Sequence, residues 1–128
     1  MNFARCAAAA LALAAGVAAA GEADVVAARA EPQSDGRYRF VVTVSHTDED
    51  WNHYADRWEV LAPDGSVLAT RVLRHPHVDQ QPFTRELANV EIPGDIPRVT
   101  VRARDSEHAY GGAEVTVTLP DRKDLADP

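Results

Sequence analysis

Sulfur is almost missing from this chain. Its single cysteine is Cys6 and its single methionine is Met1, both inside the first twenty residues. That stretch, "MNFARCAAAALALAAGVAAA", has a short basic start, an apolar run too short to span a bilayer, and small residues ahead of Gly21. It reads as a secretory signal peptide over residues 1–20, cut near Ala20, with a retained membrane anchor as the alternative. Lipid attachment is not expected, because a lipid-modified cysteine follows the apolar run and Cys6 precedes it. The remaining domain, residues 21–120, then has no thiol or thioether. This excludes disulfide frameworks, thiolate zinc sites, cysteine nucleophiles and soft Cu(I) sites, and leaves the hydrophobic core to hold the fold.

Positive charge is also scarce. Thirteen Lys and Arg face twenty Asp and Glu, for a formal charge of −7 that falls one further unit, to −8, when Arg5 leaves with the leader. Nucleic acid and anionic lipid both require a basic footprint, so neither is expected as a partner. No later segment is apolar for long enough to insert stably in a membrane. Gly-x-Ser-x-Gly, His-Glu-x-x-His and phosphate-cradling glycine loops are all absent, and the chain is not expected to be an enzyme.

A period of two dominates what remains. In "GRYRFVVTVSH", Tyr38, Phe40, Val42 and Val44 share one face; in "RVTVRARD", Val99, Val101 and Ala103 do; in "AEVTVTLP", Val115, Val117 and Leu119 do. "DRWEVLA" sets Trp58 and Val60 against Arg57 and Glu59. Such alternation marks half-buried strands of antiparallel sheets. "APDGS", "IPGDIP" and "HAYGG" supply the turns. Seven strands are expected, over 23–31, 37–46, 56–62, 66–74, 83–90, 98–105 and 113–119, with a polar C-terminal tail at 121–128. The implied fold is all-β: an antiparallel β-sandwich of immunoglobulin or fibronectin III type, the missing disulfide favouring the latter and a small barrel the runner-up.

Antiparallel neighbours alternate direction, so successive connections alternate between the two ends of a sandwich. The connections "SHTDEDWNHYAD", "HPHVDQQP" and "DSEHAYGG" therefore share one pole, and they hold all five histidines: His46, His53, His75, His77 and His108. His75 and His77 flank Pro76. If the pleat continues through the proline, both rings face one way and can reach one ion at about 2.0–2.1 Å. His46 continues the inward parity of β-strand residues 38–44 and is expected at the mouth of the core, where it, His108 or His53 would complete a three-histidine site. Imidazole with carboxylate suits Zn²⁺, Cu²⁺ or Ni²⁺, with Zn²⁺ and Cu²⁺ ranked first. His75 and His77 lead this assignment, followed by His46, then His108 and His53.

Three other readings stand beside it. His-x-His is a common polar-loop pattern with no ligand at all. The acidic run Asp48-Glu49-Asp50 is ordinarily solvated, or could hold Ca²⁺. The same loops carry Trp51, Tyr54 and Tyr110, which would serve a metal-free protein- or saccharide-interaction module.

The segments "DWNHYADRWEVLAPDG", "HPHVDQQPFTR" and "HAYGG" resemble a small family of uncharacterised exported proteins of Gram-negative bacteria. The resemblance spans most of the chain after the leader. It implies a periplasmic or secreted location and transfers no catalytic residue.

Overall fold

The computed structural model describes residues 10–13 and 21–122. The strands are β1 (Ala10–Leu13), β2 (Asp24–Pro32), β3 (Tyr38–Ser45), β4 (Ala55–Leu61), β5 (Val67–Val72), β6 (Phe83–Val90), β7 (Arg98–Asp105) and β8 (Val115–Thr118), followed by a 3₁₀ turn at Pro120–Arg122. They form two four-stranded antiparallel sheets, ordered β1-β2-β3-β6 and β5-β4-β7-β8. Seven of the eight strands lie where the alternating pattern places them. The eighth, β1, falls inside the expected leader, where its Ala10–Leu13 backbone pairs with Ala27–Ala30 of β2. In a chain cut near Ala20, β2 would become the edge of its sheet.

The inward parities of β3, β4, β7 and β8 meet in one core. Tyr38, Phe40, Val42 and Val44 are buried with Trp58, Val60, Val99, Val101, Val115 and Val117. Each such side chain contributes about 1.5–3 kcal/mol by leaving water, and with no cross-link in the core this burial is the main stabilising term. Glu59 departs from the expectation that it faces solvent: it is buried. Arg102 covers it from the neighbouring strand at 3.0 Å, while the same guanidinium stacks on Tyr110 at 3.8 Å. At the C-terminus, Asp121 and Arg122 belong to the folded body, since Arg122 donates to the carbonyls of Ile92, Pro93 and Ile96. Residues 123–128 of the expected tail lie outside the described residues.

The β3–β4, β5–β6 and β7–β8 connections converge at one pole, and Asp48 ties the first two, accepting from the backbone N–H of His77 at 2.6 Å and of Ala55 at 3.0 Å. The segment entering β2 joins them. Val25 donates to the Ala113 carbonyl and Ala113 donates to Asp24 Oδ1, which clamps residues 21–25 against the β7–β8 loop.

Candidate metal centre at the histidine pole

Asp105 is the last residue of β7 and continues the inward parity of Val99, Val101 and Ala103. Its carboxylate is fully buried, yet three imidazoles surround one of its oxygens. Oδ2 accepts from His46 Nε2 at 3.0 Å, His53 Nε2 at 2.8 Å and His108 Nδ1 at 2.9 Å. Oδ1 accepts from the backbone N–H of His108 at 2.5 Å. The Gly21 carbonyl closes the group, 3.2 Å from His46 Nε2 and 3.3 Å from His53 Nε2. Gly21 is required there by its φ of +86° and by packing, since a Cβ at this position would stand 3.1 Å from the His108 ring.

The far nitrogens are anchored too. His46 Nδ1 donates to Asp48 Oδ1 at 2.5 Å, and His53 Nδ1 donates to Glu49 Oε1 at 2.8 Å. Two imidazoles thus direct Nε2 at a common point while a carboxylate holds Nδ1 of each. Metal-binding histidines are oriented and made more basic in this way. His46, His53 and Asp105 offer ligand atoms within 4.8 Å of one another, and so do His53, Glu107 and His108. The first set is the better enclosed: the side-chain exposures are 1% for His46, 12% for His53 and 0% for Asp105, against 37% for His108 and 58% for Glu107. A tetrahedral ion with bonds of about 2.0–2.1 Å separates its ligand atoms by about 3.3 Å, so the imidazole–carboxylate distances of 3.0 and 2.8 Å would each have to lengthen by a few tenths of an ångström, with loss of the Nε2 protons.

With those protons in place, the cluster is a buried array of ion pairs. Burial is the largest influence on His46 and disfavours its charge, but Asp48, followed by Asp105 and the Gly21 carbonyl, outweighs it and holds the imidazole above its ordinary range. Burial likewise pushes Asp105 up, and the hydrogen bonds from His108, His53 and His46 bring it below the usual carboxylate range. His108 is raised chiefly by Asp105. His53 is pushed up to about 9, first by its hydrogen bond to Glu49, with burial opposing and Asp105 reinforcing.

A group whose pKa rises on folding stabilises the fold fully below its unfolded value, and that contribution disappears as pH climbs through the folded value. The metal-free protein should therefore lose thermal stability between pH 6.5 and about 9, the ordinary and folded values for His53. Glu49→Gln should shrink that loss, because Glu49 is the main cause of the shift. A melting temperature flat across this window in the wild type would contradict the ion-paired arrangement.

His75 and His77 occupy a separate part of the pole. Their rings lie 4.6 Å apart, as the His-Pro-His spacing implies, but among the described residues the pair forms no three-donor group. His77 stacks on Phe83 at 4.0 Å, and its Nε2 lone pair accepts from Arg85 at 2.9 Å. Burial first, then the nearby Arg85 and His75, holds His77 below its ordinary range. Its Nδ1 is buried without a partner, 3.9 Å from Asp48. With its Nε2 lone pair already accepting from a cation, His77 is in a poor setting for a metal ion. The aromatics are also divided. Trp51 is 64% exposed and meets Tyr54 edge-on at 5.7 Å, whereas Tyr110 lies under Arg102.

Asp105 and Asp48 are the buried carboxylates of this cluster, which the loop histidines alone do not reveal. The available signal was parity: position 105 follows Val99, Val101 and Ala103, and Asp48 follows Val42, Val44 and His46. A carboxylate at an inward position needs a buried partner. A surface hollow of about 590 Å³ lies at the opposite pole between Arg37, Glu91 and Pro93, away from this chemistry.

Comparison with known proteins places one relative beside this geometry. The chain is 36% identical over 96 residues to a curated protein named "Putative lipoprotein" from Halomicrobium mukohataei. The match takes in 75% of this chain and 47% of the relative, so the chain spans about half that protein's length. No family model matches the chain, and no solved structure matches it. The relative comes from a halophilic archaeon, and the Gram-negative origin implied by the sequence resemblance has no support from it. No helix among the described residues is long and apolar enough to cross a membrane.

Proposed function

We propose that this is an exported β-sandwich protein that holds a transition-metal ion, Zn²⁺ or Cu²⁺, at its histidine pole without turnover. The observation that carries the reading is the convergence of His46 Nε2, His53 Nε2 and Asp105 Oδ2, with both histidines braced by carboxylates on Nδ1. Nitrogen and oxygen donors without sulfur suit these two ions. A non-catalytic role is supported by Ser106, a hydroxyl of this pole whose Oγ donates to the Asn52 carbonyl and accepts from the Tyr54 N–H. Export is supported by the leader and by the relative's name. The lipid anchor in that name is not carried over, given the position of Cys6. The placement of β5 beside β4 supports the fibronectin-like arrangement over the ABED/CFG arrangement of constant immunoglobulin domains.

The test is thermal unfolding of untagged protein with and without each metal. Binding to the folded state adds about 2.7 kcal/mol at a hundredfold excess over Kd. The shift should vanish in His46→Ala/His53→Ala, fall sharply in the milder His53→Ala, and persist in His75→Ala. Because metal displaces protons, it should also grow as pH rises, opposite in sign to the stability of the metal-free form. An undiminished shift in the double variant would overturn the proposal. The exposed Trp51–Tyr54 pair supports a second reading, an interaction module. Under that reading Trp51→Ala would abolish partner capture and metal would leave the melting temperature unchanged.

A further inference from the structure

The His75-Pro76-His77 segment, which the metal centre does not use, borders an open hollow of about 230 Å³ lined by Arg71, Leu73, Arg74, His75, His77 and Arg85. Three arginines lining one hollow are conspicuous in a chain of charge −7. Elsewhere Arg29, Arg37, Arg39, Arg57, Arg102 and Arg104 each face a carboxylate, while Arg122 is taken up by three backbone carbonyls and Arg98 stands apart at the start of β7. The three at the hollow face no carboxylate among the described residues. Arg71 donates to the carbonyls of Glu86 and Val72, and Arg85 to the Thr84 carbonyl and His77 Nε2; Arg74 has no hydrogen-bond partner among the described residues. Neutral acceptors fix the side chains without cancelling their charge. Each guanidinium has five N–H donors, so each retains some for a ligand.

The position of Arg85 is set in advance. His77, buried and stacked on Phe83, offers Nε2 as the acceptor, and the guanidinium lies 5.5 Å from the Phe83 ring centre. His77 thus acts here as a positioning residue. His75 is exposed at the rim with Nδ1 turned to the Pro76 carbonyl at 3.1 Å, which leaves Nε2 open to the hollow's surroundings.

From these contacts the geometry points to a second site, separate from the metal centre: an oxyanion pocket in which Arg71, Arg74 and Arg85 bind a phosphate or sulfate group. Planar guanidinium forks match the oxygens of such groups, and the hollow is sized for one anionic substituent with part of its carrier. The inference does not depend on the metal reading.

The experiment uses protein freed of metal on a chelating resin, because a soluble chelator is itself a polyanion. Binding is followed by amide NMR shifts during titration with inorganic phosphate, inorganic sulfate, glucose 6-phosphate and chloride at constant ionic strength. Phosphate and sulfate should saturate shifts at residues 71–75, 77 and 85, and chloride should not. Arg74→Gln, whose side chain holds nothing else in place, should weaken binding by about tenfold or more, the loss expected for a charged hydrogen bond. Arg85→Gln should weaken it further, and a spectrum otherwise matching the wild type will show that the fold is kept. Tighter binding of the sugar ester than of the inorganic ions would identify a group carried on a larger molecule; equal binding would identify the free ion. A response to chloride equal to that to phosphate, or an Arg74→Gln variant that binds as tightly as wild type, would overturn the site.

Discussion

Asp105→Asn should abolish metal-dependent stabilisation and lower the stability of the metal-free protein by about 3–5 kcal/mol, the cost of removing one partner from a buried ion pair. The substitution is nearly isosteric, so packing changes little. Charge and acceptor capacity change greatly: Oδ2 serves three imidazoles at 2.8–3.0 Å, and an amide in its place can offer the backbone N–H of His108 an oxygen only by turning N–H groups toward those rings. The imidazoles would lose the carboxylate that helps keep them charged, so the decline in stability from pH 6.5 to about 9 should flatten as well. Chemical denaturation at several pH values, alongside metal titration, checks all three effects. Retained metal binding with near-normal stability would show that Asp105 is not the hub.

Gly112→Ala should be comparably damaging for a steric reason. A Cβ there would stand 2.0 Å from the Ala23 carbonyl oxygen and 2.7 Å from Asp24 Oδ1. The obstacle is backbone, so the segment entering β2 must move, breaking the Val25–Ala113 and Ala113–Asp24 hydrogen bonds. Overpacking of this kind costs about 3 kcal/mol, which in a domain near 100 residues lowers the melting temperature by roughly 10–20 °C. Displacing residues 21–25 also withdraws the Gly21 carbonyl from His46 and His53, so metal affinity should fall with stability. Gly94→Ala is the control: nothing lies within 4 Å of its added Cβ, and its melting temperature should stay near wild type. Equal melting temperatures for the two variants would contradict the clamp.

Much of this architecture can be read from side-chain alternation, because a half-buried strand must bury every second residue or lose its core. That rule locates Tyr38 to Val44, Val99 to Ala103 and Val115 to Leu119, and strand reversal then brings His46, His53 and His108 to a common end. The same parity extended two residues further would have found Asp105 and Asp48. Other features depend on contacts across strands that no local pattern encodes. Glu59 is buried because Arg102, on the neighbouring strand, reaches over it. His77 Nε2 accepts from Arg85 of the next strand, a contact that the His-Pro-His spacing does not encode. Adjacent histidines looked the strongest pair in the chain, but the occupant of the space beside them decides what they bind.

Crystals soaked in Zn²⁺ and measured at the zinc absorption edge test the central claim most directly. A single strong anomalous peak should appear about 2.0–2.2 Å from His46 Nε2, His53 Nε2 and Asp105 Oδ2. A peak on His75 and His77 instead, or none at the pole at zinc concentrations that raise the melting temperature, would contradict it.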